Sequence, residues 1–219
     1  MKKVLLIMFV LFAACFTGCS AVFGLFGEVG NGTIVKEERE IKNFTSIEIS
    51  GAYSTEIMIG EEPSISIEAD KNLLEYITTV NDGDRLIVKN SKPIYSSHKI
   101  RINVTVPDLN QLQLNGAGSV YAANISADKF YVYLSGAGSI NLQGKSNKLE
   151  AGMSGAGSLD AIKFISKDVR VLVSGVGSAD VYASNSIQAF VSGIGSVDYY
   201  GKPENVVKNI SGIGSISRK

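Results

Sequence analysis

One five-residue word recurs through the second half of this 219-residue chain. It reads Asn115-Gly116-Ala117-Gly118-Ser119, Ser135-Gly136-Ala137-Gly138-Ser139, Ser154-Gly155-Ala156-Gly157-Ser158, Ser174-Gly175-Val176-Gly177-Ser178, Ser192-Gly193-Ile194-Gly195-Ser196 and Ser211-Gly212-Ile213-Gly214-Ser215. Successive copies are offset by 20, 19, 20, 18 and 19 residues. A repeat this short cannot bury an apolar face alone, so neighbouring copies must stack into a solenoid.

The residues around the word show which solenoid. Just before it stand Leu114, Leu134, Met153, Val173, Val191 and Ile210. Two places earlier stand Leu112, Val132, Ala151, Val171, Ala189 and Lys208, and two earlier again Phe130, Leu149, Val169, Ile187 and Val206. After the word, Val120, Ile140, Leu159, Ala179, Val197 and Ile216 point inward, and Tyr121, Asn141, Asp160, Asp180, Asp198 and Ser217 outward. Period-two alternation marks strands with one buried face. Each rung is therefore a strand, a glycine corner, a second strand and a polar connector such as Gln143–Lys148. The sequence predicts an all-β fold, a right-handed parallel β-helix with rungs of about 19 residues. Six corners make a column about 25 Å long at the usual strand spacing.

The corner glycines, Gly116, Gly118, Gly136, Gly138, Gly155, Gly157, Gly175, Gly177, Gly193, Gly195, Gly212 and Gly214, meet a need for positive φ or close backbone approach. A phosphate cradle would need a helix N-terminus behind them, and none is predicted, so they are structural. The middle residue changes from alanine to valine to isoleucine, as expected if it fills a widening interior. The flanking serines are placed to hydrogen-bond along the stack.

Residues 31–110 read as a divergent entry to the regular repeats of 111–217. Ser50-Gly51-Ala52-Tyr53-Ser54 is a degenerate corner, alternating isoleucines mark strands, and Lys71–Ile77 is the one short helix expected. This half is placed to cap the first rung. The last rung has little chain to cover it and is expected to leave an exposed edge or a contact surface.

The chain opens as a secretory signal. Lys2 and Lys3 precede an apolar run, Val4–Phe16, too short to span a bilayer. The stretch Phe16-Thr17-Gly18-Cys19 resembles a bacterial lipobox, with Phe16 a departure, and makes Cys19 the expected lipidation site. Cys15 is a weaker alternative because it shortens the apolar run. Residues 1–18 are then a lipoprotein signal peptide, and 19–30 a tether made apolar by Phe23, Leu25 and Phe26. With Cys19 lipidated no disulfide remains, so packing and hydrogen bonds must supply stability. The implied address is the cell envelope, anchored to the membrane (the outer one expected), facing periplasm or surface. Lys and Arg balance Asp and Glu at 21 each, so no net field favours nucleic acid.

These residues resemble the bacterial family described as "putative autotransporter adhesin, head GIN domain". The resemblance rests on the serial corners, on Val104-Thr105-Val106-Pro107, and on Tyr199-Tyr200-Gly201-Lys202-Pro203 through Ser211–Ser215. It spans about Gly30 to Ile216. It implies a β-helical fold, frequent lipoprotein signals and an adhesin label, with no catalytic residues.

Four features bear on chemistry. Asp160, Asp180 and Asp198 recur at one position of three rungs, either as a hard-cation site or as three solvated aspartates, the reading preferred. The outward column Gln113, Tyr133, Gly152, Leu172 and Phe190 exposes large apolar groups; Tyr133, Leu172 and Phe190 are interface candidates, including for homo-oligomers, unless the tether covers them. Tyr121, Tyr182 and Tyr200 point outward as glycan-stacking candidates or ordinary strand tyrosines. His98, the one histidine, has no acid placed to orient it. No enzyme and no cofactor are expected. The sequence supports a binding or scaffolding module with a protein or glycan ligand. The alternatives are a carbohydrate-binding or carbohydrate-cleaving β-helix and a periplasmic structural partner of another envelope component.

Overall fold

A computed structural model describes residues 27–219. The signal peptide, Cys15, Cys19 and most of the tether lie outside the described residues. The strands are β1 (Glu28–Val29), β2 (Ile34–Arg39), β3 (Ser46–Ser50), β4 (Ser54–Ile59), β5 (Ser64–Asp70), β6 (Ile77–Asp82), β7 (Arg85–Asn90), β8 (Ile94–Tyr95) and β9 (Arg101–Val106). The regular half adds β10 (Gln111–Leu114), β11 (Ser119–Leu134), β12 (Ser139–Met153), β13 (Ser158–Val173), β14 (Val176–Val191), β15 (Ile194–Tyr200), β16 (Asn205–Ile210) and β17 (Ile213–Arg218). Parallel coils stack into a β-solenoid of about five turns.

The alternation read from the sequence sets the stacking register. Leu112 pairs with Val132, Val132 with Ala151, Ala151 with Val171, and Val171 with Ala189, every one buried. Phe130 and Phe164 are fully buried, with ring centroids 5.1 Å apart. The uneven repeat length is absorbed away from the corners. Register shifts fall between Ala122 and Ile125, between Asn141 and Gly144, and between Ala161 and Ile165. In the first of these bends Asn124 takes a left-handed φ of 63°, a conformation asparagine tolerates better than most residues.

The glycine corners resolve into one of the two expected causes. None of the twelve corner glycines has positive φ. Instead, a Cβ on Gly136 would lie under 3.0 Å from the Gly116 carbonyl oxygen, and one on Gly155 would meet the Gly136 carbonyl likewise. The same clash repeats up the column. The corners stack backbone on backbone, and hydrogen bonds such as Ala156 N–H to Gly136 O, 2.9 Å, and Val176 N–H to Gly155 O, 3.0 Å, carry the ladder through them.

The middle residue contradicts its expected role. Ala117, Ala137, Ala156, Val176, Ile194 and Ile213 all face solvent, and none fills the interior. Alternation runs unbroken through the corner: Leu114, Gly116, Gly118 and Val120 share the inner side, and residue 117 falls outside. The change to β-branched residues has a local effect, since the Ala corners are bends whereas β14, β15 and β17 begin at Val176, Ile194 and Ile213. β-branched side chains favour the extended backbone. Of the flanking serines, Ser135 donates its hydroxyl to Asn115 Oδ1 at 2.7 Å and Ser174 to Met153 O at 3.1 Å.

The entry half extends the stack and then closes it. The degenerate corner is real: β3 and β4 pair in parallel with β10 and β11. Tyr53 stands where later coils require glycine. Among the described residues no earlier corner lies beneath it, and its buried ring hydrogen-bonds Asn90 through the hydroxyl. Parallel β7 and β9 add one more layer, and antiparallel β6, β5 and β2 end the sheet. The expected helix is a single 3-10 turn, Leu74–Tyr76. Order begins before residue 31, because β1 pairs with β8 and Gly30 N–H bonds Tyr95 O at 2.8 Å.

Candidate functional site

The outward column before the corner lies as the alternation requires. Tyr133, Gly152, Leu172, Phe190 and Asn209 stand in register on neighbouring strands. The Tyr133 ring lies against Gly152, where a Cβ would come 3.0 Å from it. Burial, then the Glu150 charge, pushes the Tyr133 hydroxyl pKa up. Leu172 is 43% exposed. The Arg170 guanidinium covers Phe190, 4.7 Å from its ring centroid, while donating to Gln188 Oε1 at 2.9 Å. This face is thus an apolar strip with a polar border.

The corner stripe, which the sequence reading turned inward, adds to this apolar surface. Val176 and Ile194 are each 57% exposed and Ile213 77%. They pair in register, Val176 to Ile194 and Ile194 to Ile213. The signal was present in the sequence: period two carried through the word puts its middle residue outside.

The last coil exposes positions that are buried one rung earlier. Val206 follows Ile187 and Ile210 follows Val191 in register, yet both are exposed. Lys208 occupies the inner column after Ala189. Its Nζ donates to Ile216 O at 3.1 Å and stands 4.8 Å from the Tyr199 ring centroid. An inward charge on an edge strand discourages further strand addition.

The aspartate column is aligned: Asn141, Asp160, Asp180 and Asp198 pair in sequence. Its ends have partners. Asn141 Nδ2 donates to Asp160 Oδ2 at 2.9 Å, and Lys219 Nζ lies 3.1 Å from Asp198 Oδ2. Asp180, between them, has its pKa raised by burial and then by Asp198 and Asp160. Among the described residues no group of three or more His, Cys, Asp or Glu side chains is arranged to hold a metal ion.

The three tyrosines do not come together. Tyr121 heads the aspartate column, opposite Asn141, whereas Tyr182 pairs with Tyr200 two positions farther along the strand. His98 does have an acid nearby. Fully buried Asp70 accepts from Ser96 Oγ and from Gly32 N–H at 2.6 Å, while Ser96 Oγ accepts from His98 N–H at 3.1 Å. The Ser96 hydrogen bond chiefly lowers the Asp70 pKa, with His98 a lesser contribution. Among the described residues the His98 ring hydrogen-bonds its chain neighbour Ser97, Nδ1 to Oγ, at 3.2 Å. The arrangement pins two loops and does not orient an imidazole for proton transfer.

Residues 43–203 match the family described as "Putative auto-transporter adhesin, head GIN domain". The chain belongs to that family. A Bacteroides fragilis structure described as a putative adhesin superposes with a TM-score of 0.72 at 21% identity, covering 88% of this chain and 100% of that one. A Parabacteroides merdae putative adhesin gives 0.57 at 19%, covering 89% and 99%. A Parabacteroides distasonis protein described as a putative lipid binding protein gives 0.56 at 19%, covering 87% and 98%. At these identities the likeness establishes the fold. No curated protein matches the chain.

Proposed function

We propose that this GIN-family protein is a lipid-anchored binding or scaffolding module of the bacterial cell envelope, adhesin-like and without catalysis. Cys19 is its membrane attachment, residues 1–18 are removed, and the domain from about residue 27 projects from the tether. The observation that carries the reading is the apolar exterior of the later coils. Tyr133 and Leu172 on one face, flanked by half-buried Phe190, and Val176, Ile194 and Ile213 on the adjoining corner expose more apolar surface than a solitary solenoid needs. The adhesin description of the family and of two structural neighbours agrees with it. The occupant is a second protein, held by apolar contact, with Arg170 and Glu150 at the border.

The test is photo-crosslinking in intact cells from a reactive residue at position 172, with one at Glu61 as control. Adducts to another protein from 172 and none from Glu61 are expected. The Phe190→Ser variant should abolish the adduct while keeping the melting temperature. Equal adducts from both positions, or none from 172, would contradict the reading.

A further inference from the structure

A second surface lies on the opposite arm of the coils, away from Leu172 and Phe190. A hollow of about 530 Å³ opens over β9, β4, β11, β12 and β13. Register brings its floor together from both halves of the chain. Asn103 pairs with Glu56, Glu56 with Tyr121, Tyr121 with Asn141, and Asn141 with Asp160. The sequence reading found Tyr121, Asn141 and Asp160 but not Glu56 and Asn103, which sit in the irregular half.

The side chains in this hollow have unused hydrogen-bonding capacity. Among the described residues, Glu56, Asn103 and the Tyr121 hydroxyl have no side-chain partner. Asn141 Oδ1 is buried without one. Arg101 at the margin is ion-paired with Glu68, so Glu56 and Asp160 leave a weakly negative floor that disfavours anions. The Tyr121 ring is exposed beside them. Hydroxyl-rich ligands suit such a floor: carboxylates and amides exchange hydrogen bonds with them, and an aromatic face takes their C–H edge. The groups recur at every strand, about 4.8 Å apart, so the ligand is extended and crosses the strands.

We propose that this hollow binds a neutral linear oligosaccharide lying along the solenoid axis over Tyr121, with Glu56 and Asp160 accepting from its hydroxyls and Asn103 accepting or donating. The test is calorimetric titration of the mature chain with maltohexaose, cellohexaose, xylohexaose and chitohexaose. Binding of at least one is expected. Tyr121→Ala should weaken it about tenfold, the scale of one lost aromatic contact. Glu56→Gln should weaken it several-fold, and Tyr182→Ala should leave it unchanged. Melting temperatures of all variants, expected near wild type, separate binding from folding. No binding to any of the four sugars at millimolar concentration would overturn the proposal. So would binding that survives both Tyr121→Ala and Glu56→Gln, or displacement of the sugar by an extended Ser/Ala peptide. The Phe190→Ser variant should bind sugar normally, so this site and the protein-contact face stand or fall separately.

Discussion

At one end of the stack, edge strand β2 presents Lys36, Glu37, Glu38 and Arg39 within six residues; at the other, edge strand β16 presents Val206, Val207 and Ile210. Both edges leave backbone groups unpaired, and an unpaired edge invites another chain. The first is closed. Antiparallel strands end the sheet, Phe44, Leu73 and Ile77 are buried near it, and Asp70 ties the loops. The second keeps the inner pattern of a coil without the neighbour that would bury it, and Lys208 alone interrupts it. The pattern therefore sets register, while burial depends on what stacks next. The chain closes one end with antiparallel strands and presents at the other an apolar surface that Lys208 interrupts.

The largest predicted effect separates a middle corner from a terminal one. Gly155→Ala puts a methyl against the Gly136 carbonyl with coils fixed on both sides. It should cost about 3 kcal/mol or more, the upper range for overpacking. Gly212→Ala meets the Gly193 carbonyl in the last coil, which can shift, and should cost about 1 kcal/mol. Equal losses in denaturant melts would break the comparison.

Asp70→Asn sharpens it at the closed end. The Asp70 pKa is lowered in the fold. Its contribution is therefore complete above the ordinary carboxylate pKa and lost as pH falls through the lower folded value. The variant should lose about 1–3 kcal/mol at neutral pH, and the deficit should shrink in acid. A pH-independent deficit would contradict the assignment.

Lys208→Leu acts on the open end. Stability should change by less than about 1 kcal/mol, while sedimentation should show concentration-dependent association absent from the wild type. A monomeric variant would show that Lys208 does not guard the edge.

Asp180→Asn should have the smallest effect. The Asp180 pKa is raised, so its ionised form is disfavoured in the fold and the cost appears as pH rises through the carboxylate range. The variant should gain about 0.5 kcal/mol at neutral pH, the scale of a partly exposed charge pair, and nothing in strong acid. Calcium that raises the wild-type melting temperature, and not the variant's, would instead make the column a cation site.

The rungs, corners and outward columns were legible because a period of two fixes which side each residue takes. The same period carried through the glycines puts the middle corner residues, 117 to 213, outside, where the structure has them. Asn103 and Glu56 were not legible as partners of Tyr121, since no repeat connects them and only the fold brings their strands into register. The Asp70–Ser96 contact, 26 residues apart, had no pattern to announce it. The lone inward Lys208 was visible as a departure from its column, but its role needed the Ile216 carbonyl in place.

Hydrogen exchange along residues 27–219 tests the closed-and-open account most directly. Amides of β11, β12 and β13 should exchange slowest, β7 and β9 nearly as slowly beneath the closed end, and β16 and β17 fastest of the stacked strands. Uniform protection through β17, or faster exchange in β7 and β9 than in β16, would contradict it.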